Sequence, residues 1–132
     1  MNLFIDTSGF LAVLNVDDDM HAKAKTSWIK LLSERVKPTT NNYVLVETFA
    51  LVQNRLGMEA ISVFNSDIMP VIHIEWVDEI THKIGVSALL AAGRKKLSLV
   101  DCVSFETMRR LGLRRVFTVD KHFGEQGFEC IP

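Results

Sequence analysis

The chain has 132 residues, 48% of them apolar, with 15 lysines and arginines against 16 aspartates and glutamates and a formal net charge of −1. That length and apolar content suit one folded domain spanning 1–132, with its own core, and exclude a disordered chain. No apolar run approaches the ~20 residues needed to cross a bilayer, and the near-neutral total gives no basic surplus of the kind usual in a nucleic-acid binder, although a local basic patch is compatible with it.

The opening Met1-Asn2-Leu3-Phe4-Ile5-Asp6 has no basic region and meets an acid at once, so it does not read as a secretory leader. Leu3–Asp6 is continuously apolar up to its last residue and predicts a buried strand. Ser8–Asn15 follows as a helix, with Asp6, Thr7 or Ser8 available to cap it. Asp17-Asp18-Asp19 predicts a turn, and a helix from His21 to about Val36 carries Ala24, Trp28, Leu31 and Leu32 at helical spacing with lysines opposite. Pro38-Thr39-Thr40 is a short extended piece. Asn41 or Asn42 caps an apolar helix that runs to Leu56 and stops at Gly57. Met58–Ile68 predicts a helix closing before Pro70, and 71–75 a partly alternating strand. Val77–Ala92 is helical and ends at Gly93. The basic loop Arg94-Lys95-Lys96 leads to Ser98, which caps a helix ending near Gly112. Arg115–Val119 and Phe128–Ile131 are the last two strands.

Strands separated by helical stretches require crossover connections, hence a mostly parallel sheet covered on both faces. The predicted fold class is α/β, a three-layer α/β/α sandwich. In such sheets ligands bind beyond the carboxyl ends of the strands. The two cysteines, Cys102 and Cys130, form no CxxC pair and predict reduced thiols in a cytoplasmic protein. The four histidines have no zinc spacing, and His122 reads as a surface or turn residue.

Four acids stand out against this frame. Asp6 ends the first strand and Asp120 ends the strand Val116–Val119. Glu47 interrupts the apolar runs 43–46 and 49–52, and Asp101 interrupts 97–100 and 102–103. Three have ordinary readings: Asp6 as an N-cap, Asp101 in a capping box with Ser98, and Asp120 as a turn residue. Glu47 is harder to explain this way: its helical neighbours Tyr43, Val44, Ala50 and Leu51 predict a carboxylate on an apolar face, where a structural glutamate needs a buried basic partner and the nearby Arg55 lies two turns away. Ionised carboxylates brought together in apolar surroundings are costly, and a divalent cation is the simplest partner that makes them tolerable.

The segments Phe4-Ile5-Asp6-Thr7-Ser8, Val46-Glu47-Thr48, Leu97–Cys102 and Phe117–Phe123 resemble the motifs of PIN-domain ribonucleases, and among them the VapC-type toxins of toxin–antitoxin pairs. The resemblance covers essentially the whole chain. It implies that Asp6, Glu47, Asp101 and Asp120 are catalytic residues and ligands to Mg²⁺ or Mn²⁺, supported by Thr7, Ser8 and Thr118. It also implies a homodimer and a cognate antitoxin. The chemistry agrees: all-oxygen ligands suit these cations, and metal-activated water can cleave RNA with no nucleophilic side chain. RNA phosphates would be met by Arg94, Lys95, Lys96 and Lys121, with Arg109, Arg110, Arg114 and Arg115 a second basic group. The competing readings are an RNA-processing or inactive PIN-like RNA-binding protein, a non-catalytic phosphoacceptor module, and a phosphatase of the haloacid-dehalogenase type. The last requires a second aspartate where this chain has Ser8.

Overall fold

In the computed structural model, which describes residues 2–93 and 96–132, a five-stranded all-parallel sheet has the order β3-β2-β1-β4-β5. The strands are β1 (Asn2–Ile5), β2 (Lys37–Asn41), β3 (His73–Glu75), β4 (Arg115–Phe117) and β5 (Glu129–Ile131). Helices α1 (Thr7–Leu14), α2 (His21–Ser33), α3 (Asn42–Leu56) and α4 (Met58–Val63) connect the first three strands. Helices α5 (Glu79–Ala92) and α6 (Leu99–Leu111) lead back to β4, and the short α7 (His122–Glu125) precedes β5.

The chain steps one way along the sheet from β1 to β3 and the other way from β3 to β5. Right-handed crossovers therefore place α1–α4 on one face and α5–α7 on the other. The packing agrees: Phe10 and Phe49 meet Phe64 edge-on beneath the first group, while Phe105, Phe123 and Phe128 cluster under the second. Leu3, Phe4 and Ile5 are all fully buried, as a central strand covered on both faces requires.

Sequence and structure differ at several points. Pro38-Thr39-Thr40 belongs to an interior strand, β2, paired with both β1 and β3. Its polar residues are satisfied internally; the Thr40 hydroxyl, for example, donates to the Ile5 carbonyl at 2.8 Å. Helix α2 stops at Ser33 rather than Val36, because Arg35 takes a left-handed φ of 57°. Leu32 falls on its outer face, whereas Ala24, Trp28 and Leu31 are buried. The α4 helix breaks off at Val63 into a π turn over Phe64–Ile68, and β4 ends at Phe117, two residues short of expectation.

The sheet order reverses between β1 and β4, so their carboxyl ends flank the crevice where a doubly wound sheet binds ligands. No helix among the described residues is long and apolar enough to cross a membrane.

Candidate active site

Asp6 leaves β1 and caps α1. Its backbone N–H donates to the Phe117 carbonyl at 3.1 Å, tying it to the end of β4. Its Oδ1 accepts the Thr7 N–H at 2.7 Å. Its Oδ2 accepts two hydroxyls, Ser8 at 2.8 Å and Thr118 at 2.9 Å. Those hydroxyls in turn accept backbone N–H groups from the loop after β4: Val119 donates to Ser8 Oγ at 3.0 Å and Asp120 to Thr118 Oγ1 at 2.9 Å. This closure needs α1 to lie hard against β4. Gly9 permits it, since a Cβ there would stand 2.4 Å from the Phe117 carbonyl oxygen. Ser8, the position where a phosphatase of the haloacid-dehalogenase type needs its second acid, is thus committed to Asp6.

Asp101 lies in the first turn of α6 in the capping box its spacing predicted. Its N–H donates to Ser98 Oγ at 3.1 Å, and its Oδ2 accepts the Ser98 N–H at 3.1 Å. Asp120 Oδ1 accepts the His122 N–H at 2.9 Å. His122 is buried at the start of α7, with Nδ1 3.5 Å from Glu125 Oε2. The surface position expected for His122 is therefore corrected: α7 folds it inward beside Phe123.

Asp101 and Asp120 both act on Asp6, and Asp120 on Asp101. Burial pushes the Asp6 carboxyl up to about 6; the Ser8 and Thr118 hydrogen bonds oppose this, and the charges of Asp101 and Asp120 add to it. Asp101 is also raised, first by burial and then by Asp120, against the pull of the Ser98 bonds and His122. The two thiols are shifted in the same direction. Burial and then Asp101 raise Cys102; burial raises Cys130, with Asp120 and Asp6 adding to it against a bond from Gly124. Neither cysteine is an activated nucleophile.

Glu47 stands apart. It is half-exposed on α3, with no hydrogen bond or ion pair among the described residues. The expectation of a carboxylate on an apolar face is met in part: of its helical neighbours Val44 is buried, Tyr43 and Leu51 are half-buried and Ala50 is exposed. Helix α3 buries Val44, Leu45, Thr48 and Val52, and the side carrying Glu47 also carries Val46, 71% exposed, and the exposed Ala50. Tyr43, one turn earlier on that side, packs edge-on against His82 of α5, so the side is only partly open. Thr48 does connect this turn to the site, its Oγ1 lying 3.4 Å from Thr7 Oγ1.

Arg94 and Lys95 fall outside the described residues. Lys96 and Lys121 are exposed, the latter next to Asp120. The second basic group is dispersed rather than pooled. Arg109 stacks over Phe128 and donates to Gln126, and Arg110 pairs with Asp78 at 3.2 Å. Arg114 and Arg115 lie at the start of β4, the end of the sheet opposite Asp6.

Among the described residues, no three His, Cys, Asp or Glu side chains are gathered tightly enough to hold one metal ion between them. The donor set nevertheless fits a hard cation. It consists of carboxylate oxygens, and Asp6 and Asp101 carry a desolvation and repulsion cost that a divalent charge would relieve.

Ser104 and Thr107 are buried polar residues near the site with no sign in the sequence, while Asn41 was expected only as a helix cap and Thr48 only beside Glu47. The signal at Asn41 is a polar cluster, Thr-Thr-Asn, ending a strand that pairs on both sides.

An α/β domain with acids at the switch point of a parallel sheet offers oxygen donors of the kind a hard cation takes. The chain matches the PIN domain family over residues 3–129. It is 30% identical over 127 residues to the 23S rRNA-specific endonuclease VapC20 of two Mycobacterium tuberculosis strains, CDC 1551 and H37Rv, covering 96% of this chain and 95% of that one. The crystal structure of M. tuberculosis VapC20, described as a sarcin-ricin loop cleaving toxin, superposes with a TM-score of 0.84 at 28% identity over 98% of this chain and 99% of that one. FitAcB from Neisseria gonorrhoeae shares the fold at TM-score 0.72 and 16% identity, over 100% and 97% of the two chains. VapBC2 from Rickettsia felis, bound to a promoter DNA fragment, shares it at 0.71 and 12%, over 98% and 97%. The chain belongs to the PIN domain family.

Proposed function

We propose that this protein is a Mg²⁺- or Mn²⁺-dependent endoribonuclease, the toxin of a toxin–antitoxin pair. The observation that carries the reading is the buried Asp6 carboxylate at the carboxyl ends of β1 and β4, held by Ser8 and Thr118 with Asp101 of α6 and Asp120 near enough to raise its pKa, in a chain 30% identical to a 23S rRNA endonuclease across nearly its full length.

Asp6 and Asp101 are assigned as ligands, with Glu47 completing the set from α3 and Asp120 holding a second ion or orienting water. The bound cation supplies Lewis acidity, polarising a phosphate and lowering the pKa of water. The protein's own part is to hold Asp6 ionised through Thr7, Ser8 and Thr118, and to place Asp101 and Asp120 around it. Lys121, with Lys96, Arg94 and Lys95, is assigned to RNA phosphates. Ribosomal RNA is the first substrate to test, by analogy with the relative.

The reading carries two partners. Trp76, Ile80 and Ile84 are an exposed apolar group at the entry to and first turns of α5, suited to a second copy of the chain. An antitoxin would meet the carboxylates with an arginine.

The test is cleavage of purified ribosomal RNA with Mn²⁺ and with chelator, the products mapped by their ends. Cleavage at defined positions, lost with chelator and in Asp6→Asn, is the expected result. Equal cleavage by Asp6→Asn and the parent would overturn the assignment.

A further inference from the structure

We propose that Asn41 is a positioning residue of the acid site, its side-chain amide fixing the helix that carries Glu47 against the helix that carries Asp101. The proposal rests on the nuclease reading only in taking those two acids as metal ligands.

Asn41 ends β2 and is fully buried. Its Oδ1 caps α3 by accepting the Val44 N–H at 2.8 Å. Its Nδ2 donates across to α6, to Thr107 Oγ1 at 3.2 Å and Ser104 Oγ at 3.4 Å. Thr107 is itself anchored, donating to the Val103 carbonyl at 2.8 Å. One planar amide therefore holds the first turn of α3 at a set distance from the middle of α6.

Capping alone does not require this residue. Serine or aspartate supplies the same acceptor, and neither supplies an N–H aimed at α6. The placement is telling on both sides. Ser104 and Thr107 lie three and six residues after Asp101, and Glu47 lies six residues after Asn41, so the tie is about one to two helical turns from each acid. The preceding residue extends the tie to the third element: Thr40 donates to the Ile5 carbonyl, next to Asp6, at 2.8 Å. Glu47 and Asp101 share no direct bond, so their separation depends on how α3 and α6 are locked together. A displacement of about 1 Å at a site of this kind is enough to cost activity heavily.

The experiment compares Mn²⁺ affinity, measured by calorimetry well below the melting temperature, in four proteins. Asn41→Ser keeps the cap and removes the tie. The double variant Ser104→Ala/Thr107→Val removes the acceptors and leaves Asn41 in place. Leu31→Ala, in the α2 core, lowers the melting temperature without touching the tie. Loss of a group bonded directly to a ligand commonly weakens metal binding about 10- to 100-fold, and Asn41, acting one step further out through both helices, is set at the lower end of that range. Weakening of about tenfold or more is expected in Asn41→Ser and in the double variant, with Leu31→Ala binding Mn²⁺ like the parent. Parental affinity in both tie variants would overturn the proposal, as would equal weakening in Leu31→Ala. If the parent binds Mn²⁺ but cleaves no RNA, the nuclease reading fails while the positioning role is still decided by affinity. If the parent binds no Mn²⁺, both fall.

Discussion

Ser8 and Thr118 are 110 residues apart in the chain, yet their hydroxyl oxygens lie 2.9 Å apart and both contact the same Asp6 oxygen. Each hydroxyl hydrogen is spent on the carboxylate, while each oxygen accepts a backbone N–H from the β4 loop. The pair holds Asp6 in its ionised form against the burial that opposes it. Ser8→Ala or Thr118→Val should raise the Asp6 pKa further and weaken Mn²⁺ binding at neutral pH by about tenfold. Mn²⁺ titrations across about pH 5–8 would show the affinity midpoint moving to higher pH. An unmoved midpoint would remove these two hydroxyls from the site.

Stability without metal should depend on pH in a defined direction. Asp6 has a folded-state pKa of about 6 against an ordinary 3.8. Between those values the native protein keeps a proton that the unfolded chain has lost, so stability falls as pH rises through the window. The shift corresponds to a loss on the order of 3 kcal/mol. Asp101 is raised too and acts in the same sense. Denaturant unfolding in chelator should therefore give a lower free energy at pH 7.5 than at pH 5, and saturating Mn²⁺ should narrow the difference. A rise in stability over that interval would contradict the assigned burial of Asp6.

The same cost makes a counter-intuitive mutation favourable. Asp6→Asn removes the buried charge; its Oδ1 can still cap α1, and its Nδ2 can donate to the Ser8 and Thr118 oxygens once those hydroxyls turn their hydrogens away. In metal-free buffer it should be more stable than the parent by about 1–3 kcal/mol, raising the melting temperature by several degrees while abolishing metal binding. Calorimetric scans of the two proteins in chelator decide it. A clear drop would make Asp6 a structural cap.

The frame of this site was legible in the sequence, and its tightness was not. Strand β1, the Asp6 cap, the Ser98–Asp101 capping box and the stop at Gly57 are local features, written in adjacent residues. The parallel sheet followed from the alternation of strands and helices. What failed depends on the other side of a contact. Glu47 has apolar neighbours in sequence, but how far it is buried is set by what packs against α3, and it ends half-buried. Lys37–Asn41 looks too polar for an interior strand until Ile5, Ser104 and Thr107 are brought to its hydroxyl and amide groups. His122 is buried by a single helical turn too short to show periodicity.

The close approach of α1 to β4 gives a prediction that does not involve charge. An added methyl at Gly9 would meet the Phe117 carbonyl oxygen at 2.4 Å and its ring at 2.6 Å. Backbone cannot step aside as a flexible side chain can. Gly9→Ala should destabilise the protein by about 1–3 kcal/mol and weaken Mn²⁺ binding, because Asp6 and Thr118 are spaced by that contact. Denaturant unfolding measures the first effect and calorimetry the second; a Gly9→Ala protein as stable as the parent would show that α1 can move away from β4.

The most direct measurement is anomalous diffraction from crystals grown with Mn²⁺. The account predicts an ion at the carboxyl ends of β1 and β4, in contact with oxygens of Asp6 and Asp101 directly or through water, with Glu47 turned toward it. An empty crevice at saturating Mn²⁺, or an ion bound only away from Asp6, would contradict it.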